Sequence, residues 1–370
     1  MQSEYLIPPG FKDNVSFDAY IEHEYKNNII NYFRSNGFDL VKTPLIEYSN
    51  NKNNNSFLIT KKKNEINLKI RNDITPQIIR IVSSRLIQKI RPLKLCYYGE
   101  VVRKKGTMLR PERQFLQVGA ETIGSKSVKA DIEIINLAYQ SLSMIGINQI
   151  TIELSSRIFL KKLFNIVNNS VLEKNLIKSI KSKDLNSCYK FLNNDDQKNL
   201  LSKIFKCTGK VEKINNNLDS LVIDSKTKEE INNIRSIVST IKLNKSDQIN
   251  IDLSEINEKK YHDGIKFTFF AKDIRGEIAN GGRYTIKHRK NNETATGFTC
   301  FMDTVLRASS FENIAKKVLL SFNTDNKIKN DLIKEGYVLF SIFENSSDLK
   351  KDALKFGCNY YLENKIIKEI

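Results

Sequence analysis

The stretch from Leu93 to Glu121, LKLCYYGEVVRKKGTMLRPERQFLQVGAE, decides how the rest of the chain is read. Its two ends, Leu93–Val102 and Gln114–Thr122, are rich in aliphatic and aromatic residues and read as strands. A basic connection joins them, which gives an antiparallel hairpin with an unusually long loop. Alternate residues of a strand share a face, so Gln117, Gly119 and Glu121 point the same way. Such a face is either solvated or the floor of a site, and the stretch alone fits both.

Upstream of the hairpin, Phe17–Asn36 carries Tyr20, Tyr25, Ile29, Ile30 and Phe33 at helical spacing and ends before Gly37. Phe38–Val41 and Pro44-Leu45-Ile46 read as extended. Pro76 opens a further helix, Gln77–Ile90, with Asp73 or Thr75 as its cap. Downstream, Ala130–Met144 is amphipathic and Gln149–Leu154 alternates like a strand. Arg157–Ile241 has no proline and reads as a block of short helices. Strand patterning returns at Gln248–Leu253 and Ile265–Ala271, followed by a glycine-rich turn, Asn280-Gly281-Gly282-Arg283-Tyr284. The tail repeats strand, helix, strand, helix, strand from Lys317 to Leu362. The expected architecture is α+β: an antiparallel core over residues 1–312, a helical insertion at 157–241, and a short α/β module at 316–370.

Composition narrows the function without naming it. Of 370 residues 40 % are hydrophobic and 28 % charged, ordinary for a globular chain. The apolar run Ile78–Ile90 is broken by Arg80, Arg85 and Lys89, so no bilayer span is expected. Met1-Gln2-Ser3-Glu4 lacks the basic and apolar regions of a leader, and a cytoplasmic location is expected. Five scattered cysteines form no CxxC pair, so neither a zinc site nor a disulfide framework is indicated. The net charge of +18 invites a nucleic-acid reading, but the basic residues are dispersed and Lys, Asn and Ile are abundant throughout.

Several segments, in one order, resemble the class II histidyl-tRNA synthetase family. They are Pro8-Pro9-Gly10-Phe11-Lys12-Asp13, Thr43-Pro44-Leu45-Ile46-Glu47, Arg71-Asn72-Asp73-Ile74-Thr75-Pro76-Gln77, the 98–121 hairpin, and Gly281-Gly282-Arg283-Tyr284. The resemblance extends to a non-catalytic branch of that family, the regulatory subunits of ATP phosphoribosyltransferase. It implies a class II synthetase-like core, with a tail that resembles a shortened anticodon-binding domain.

A histidine pocket needs acceptors for the ammonium, donors for the carboxylate and a partner for each ring nitrogen. By resemblance Asp73, Thr75 and Gln117 receive the amino group and Glu121 accepts the imidazole N–H. Tyr261, His262 and Tyr284 line the ring beside the glycine loop of Gly281 and Gly282, and Arg103 and Arg113 face a carboxylate or a phosphate. Plainer roles fit the same residues: Asp73 and Thr75 as caps, Gly281-Gly282 as a hairpin turn, His262 as a packed histidine.

The family's ATP-handling positions depart from its pattern. Asn257 stands where the synthetases carry an arginine, Thr304 replaces the arginine that clamps ATP, and Phe301 replaces a glycine. Losing one preorganised donor costs roughly 10²–10³ in rate. The resemblance therefore implies a subunit with no catalytic residue, cofactor or metal, which binds L-histidine. It further implies a homodimer through the Pro44 region, held in a hetero-oligomer with a short-form catalytic ATP phosphoribosyltransferase subunit. Transfer RNA is not expected as a partner. A divergent synthetase and an RNA-binding paralogue remain open as rival readings.

Overall fold

The computed structural model describes residues 6–49, 55–59, 67–167, 170–256, 262–287, 292–309, 315–344 and 346–370. Helix α1 (Ser16–Ser35) buries Ile21, Tyr25, Ile29 and Phe33, four residues apart on one stripe. It ends at Gly37, whose φ of 84° lets the chain reverse into β1 (Asp39–Val41). A small hairpin-like pair, β2 (Ile46–Tyr48) and β3 (Leu68–Ile70), precedes α2 (Thr75–Val82). The strands β4 (Leu93–Val102) and β5 (Gln114–Ile123) then pair antiparallel over their full length. Next come α3 (Val128–Met144) and β6 (Ile150–Ser156).

The block after β6 is helical, as its composition suggests: α4 (Ile158–Val167), α5 (Ser170–Lys181), α6 (Leu185–Tyr189), α7 (Asp195–Lys206), α8 (Val211–Ile214) and α9 (Ser225–Thr240). Asp184, Asn194 and Asp224 cap α6, α7 and α9 with side-chain acceptors. One short strand, β7 (Thr208–Lys210), interrupts the block and was not expected from the sequence. It pairs with β8 (Gln248–Asp252) and so ties the helices to the sheet.

β9 (His262–Ala271), β10 (Ala279–Lys287) and β11 (Asn292–Phe301) complete a nine-stranded sheet, and α10 (Met302–Ala308) follows. Its order is β1-β4-β5-β11-β10-β9-β6-β8-β7. The pairs β1·β4 and β6·β8 are parallel and the others antiparallel. One face packs Cys96, Val118, Ala120, Phe298 and Cys300 against α1 and α3 in the larger core. Phe33 meets Phe298 edge to face, with ring centroids 5.5 Å apart. The other face packs Leu95, Tyr97, Phe115, Tyr284 and Phe301 against Ile74, Ile78 and Val82 of the α2 region.

Two sequence expectations are corrected. The glycine pair Gly281-Gly282 is no turn; it lies inside β10, between β9 and β11, with a register shift between Gly282 and Tyr284. The helix expected to reach Ile90 ends at Val82. Chain contacts separate Met1–Ser310 from a second unit, Phe311–Ile370. That unit has a four-stranded sheet, β13-β12-β14-β15, and two helices. In chain order these are β12 (Lys316–Ser321), α11 (Asn326–Lys334), β13 (Tyr337–Ile342), α12 (Leu349–Lys355), β14 (Tyr360–Glu363) and β15 (Ile366–Glu369). The last strand was not expected from the sequence. Among the described residues no helix is long and apolar enough to cross a membrane, and no cluster of His, Cys, Asp and Glu is placed to hold a metal.

Candidate functional site

The register of the central strands assembles the site. Glu121 stands opposite Leu95 on β4 and Gly297 on β11; Gly119 opposite Tyr97 and Thr299; Gln117 opposite Gly99 and Phe301. Gly282 lies opposite Gly297, and Tyr284 two residues further along β10 opposite Ala295. Because alternate residues share a face, all these side chains belong to the α2 side of the sheet. Gly297 makes the arrangement possible, since a Cβ there would overlap the Glu121 carboxylate. Gly282 allows close approach of a different kind: its Cβ would lie 2.9 Å from the His262 Nδ1 atom. Gly281 faces the larger core, where a Cβ would meet the Phe267 ring.

Glu121 is 1 % exposed, which excludes the solvated strand face. Its Oε2 accepts a hydrogen bond from the Tyr284 hydroxyl at 3.0 Å, and its Oε1 accepts from Thr75 Oγ1 at 3.2 Å. The Tyr97 hydroxyl is 3.5 Å from Oε1 and 2.7 Å from Thr299 Oγ1. Burial pushes the Glu121 carboxyl up to about 8, against the pull of these hydroxyls. The acid is therefore mostly protonated in the free protein at neutral pH, and the oxygen that holds the proton then donates to its hydroxyl neighbour instead of accepting.

Neither Asp73 nor Thr75 caps α2 through its side chain; the cap position is Ile74. The first turn is satisfied from the sheet instead, because Gln117 Oε1 accepts the Ile74 N–H at 3.1 Å. Asp73, half-buried, adds a negative field at Glu121. The structure thus brings together Thr75, Gln117, Glu121 and Tyr284, with Asp73 beside them. His262 is half-buried against Gly282, and burial lowers its ring to about 4, so it stays neutral. Tyr261 and Asn257 lie outside the described residues.

The two arginines part company. Arg103 lies over the rings of Phe115 (4.8 Å) and Phe301 (5.9 Å), and carries no ion pair among the described residues. Burial, then the nearby Arg110, lower its pKa. Arg113 is committed to the N-terminal segment: it donates to the Pro9 carbonyl at 2.9 Å and lies over Phe11 and Phe57. Among the described residues no contact joins it to the Glu121 cluster, so the structure does not bring it together with the other candidate residues.

Phe301 is 4 % exposed and stacked under Arg110, whose guanidinium carbon is 3.7 Å from the ring centroid. Asp303 holds Arg110 at 3.4 Å, and Thr304 is fully buried. Arg307 pairs with Glu112. The end of the sheet where Phe301 sits is therefore filled by the chain's own side chains. Sequence reasoning missed Tyr97, Thr299 and Gly297. Tyr97 and Thr299 flank Gly119 in the register; the hairpin pairing alone would have pointed to Tyr97, but no local pattern points to Thr299 or Gly297.

The profile of the family described as Histidyl-tRNA synthetase matches residues 10–305, which is most of the chain and all of the site. The chain belongs to the histidyl-tRNA synthetase family. Within that family it is similar to proteins named ATP phosphoribosyltransferase regulatory subunit. One from Rhodospirillum centenum is 28 % identical over 375 residues, covering 99 % of this chain and 96 % of the relative. Another from Paramagnetospirillum magneticum is 29 % identical, covering 99 % and 98 %. A solved structure from Bacillus halodurans, described as an ATP phosphoribosyltransferase regulatory subunit/histidyl-tRNA synthetase, superposes with a TM-score of 0.79 at 20 % identity, covering 96 % of this chain and 97 % of that one. Histidyl-tRNA synthetase from Nostoc superposes with a TM-score of 0.77 at 17 % identity, covering 97 % and 91 %. The fold is that of the histidyl-tRNA synthetases.

Proposed function

We propose that the chain is a non-catalytic regulatory subunit of ATP phosphoribosyltransferase, which binds L-histidine in the Glu121 pocket and imposes feedback control on a separate catalytic subunit. The observation that carries this reading is the contrast between the two parts of one sheet face. Around Glu121, hydroxyls converge on a buried carboxyl beside Gln117 and Asp73. Around Phe301, an arginine–aromatic stack fills the space. The relatives' name supports the same assignment.

Glu121 would accept the imidazole N–H and Asp73 would pair with the ammonium. Arg103, whose guanidinium carries no ion pair among the described residues, would take the carboxylate. A ligand shifts an assembly only through differential affinity for its states, and roughly 1–3 kcal/mol of coupling is enough for feedback control. The exposed Leu40 on β1, Leu45 in the connection and Ile46 and Tyr48 on β2 support a homodimer through the Pro44 region.

Co-expression with a short-form catalytic subunit tests the reading. A stable complex whose phosphoribosyl transfer falls as histidine is added is expected, with no histidine-dependent exchange of pyrophosphate into ATP. Robust exchange by this chain alone would instead identify a synthetase.

A further inference from the structure

Tyr97 is fully buried, and the sequence did not single it out as a ligand contact. Its hydroxyl nonetheless sits at a junction, 2.7 Å from Thr299 Oγ1, 3.1 Å from Thr75 Oγ1 and 3.5 Å from Glu121 Oε1. The surroundings are cut to its ring: a Cβ at Gly119 would come within 2.5 Å of the Tyr97 hydroxyl oxygen.

Each hydroxyl has one proton to give and lone pairs to receive. When Thr75 gives its proton to Glu121 Oε1, its oxygen is free to accept from Tyr97, and Tyr97 in turn accepts from Thr299. The chain Thr299–Tyr97–Thr75 then points every donor toward the carboxyl and links β11, β4 and α2 to β5. Without the central hydroxyl, Thr75 loses the partner that fixes its rotamer, and Thr299 is left with a buried polar group to satisfy elsewhere.

We propose that Tyr97 is a positioning residue of the pocket, which aims Thr75 and the Glu121 carboxyl so that a ligand's ring N–H meets an acceptor already oriented. The inference rests on the histidine reading and adds to it a residue outside the ligand contacts that reading names. The groups that face Glu121 are Asp73 ahead of α2, Thr75 on α2, Tyr97 on β4 and Tyr284 on β10. His262 lies on β9 against Gly282, and Lys266, paired with Glu255, stands opposite Gly282 in the same row. Of these Tyr97, Thr75 and Tyr284 favour the charged acid, whereas Asp73 opposes it.

The test is titration calorimetry of the full chain with L-histidine across about pH 6 to 9, the range in which Glu121 ionises. Tyr97→Phe is expected to weaken binding about tenfold at neutral pH, the cost of one broken buried hydroxyl link. It should also move the midpoint of the pH profile upward, because the chain of hydroxyls that ends on the charged carboxylate is broken. Thr299→Val should follow Tyr97→Phe in direction, while Thr299→Ser, which keeps the hydroxyl, should bind like the parent. This pair carries the test if Tyr97→Phe does not fold. Parental affinity and midpoint in folded Tyr97→Phe, or in Thr299→Val, overturn the positioning role and leave the histidine reading standing. A parent chain that binds no histidine at any pH overturns both.

Discussion

At the scale of single residues, Glu121 combines near-complete burial with hydroxyl donors to each carboxyl oxygen, and the balance of these effects sets its charge. Burial wins, holding the group at about 8 against an ordinary value of 4.5. An acid raised in this way binds its proton more tightly in the folded than in the unfolded chain, so its contribution to stability is present in full below about 4.5 and is lost as the pH rises through about 8. Glu121→Gln keeps the shape and stays neutral. It is expected to melt above the parent at pH near 9 and to lose that advantage toward pH 5. A melting difference that does not change with pH would show that Glu121 does not titrate in this range. Gly297 gives a second residue-scale prediction. Gly297→Ala should displace the Glu121 carboxyl and weaken histidine binding in calorimetry by more than about tenfold, in line with a lost buried polar contact, while the circular dichroism stays parental. Little of this was legible beforehand. The sequence placed Gln117 and Glu121 on one face, but the register that puts Gly297 and Thr299 beside them depends on strands far away in the chain.

At the scale of elements, the β4–β5 hairpin was legible almost to the residue, because two long apolar runs are separated by a basic connection containing Gly106 and Pro111. Helix α2 was read too long. The periodicity continues through Leu86, Ile87 and Ile90, yet Ile87 and Ile90 are 49 % and 90 % exposed and find no core to join. Ser84 instead turns its hydroxyl back onto the Arg80 carbonyl at 2.6 Å, just past the helix end. The glycine pair misled for the opposite reason: local preference favours a turn, but β9 and β11 flank it with ladder partners and tertiary pairing decides. Strand β4 also depends on a glycine. Arg71, 5 % exposed, donates to the Thr43 carbonyl (3.0 Å), the Thr43 hydroxyl (2.9 Å) and the Glu100 carbonyl (2.6 Å). A Cβ at Gly99 would overlap that guanidinium. Gly99→Ala should therefore destabilise the chain by about 2–3 kcal/mol in urea unfolding, through steric overlap and broken hydrogen bonds to a buried charge.

At the scale of the whole molecule, the family's pattern explains which parts of the site persist and which are overwritten. Thr75, Gln117 and Tyr284 converge on Glu121, whereas Phe301 and Thr304 are buried among the chain's own side chains. The chain's net charge of +18, which first suggested nucleic acid, needs no ligand on this view. The histidine-responsive subunit proposed above would act only by favouring one state of an assembly, so its effect would be visible in the partner's rate and not in its own chemistry. The most direct measurement is the phosphoribosyl-transfer rate of a short-form catalytic subunit assembled with this chain, followed as L-histidine is titrated, for the parent and for Gly297→Ala. The expected result is inhibition by the parent complex that Gly297→Ala shifts to at least about tenfold higher histidine, matching its loss of affinity. Identical inhibition curves for the two, or a rate indifferent to histidine in the parent complex, would contradict it.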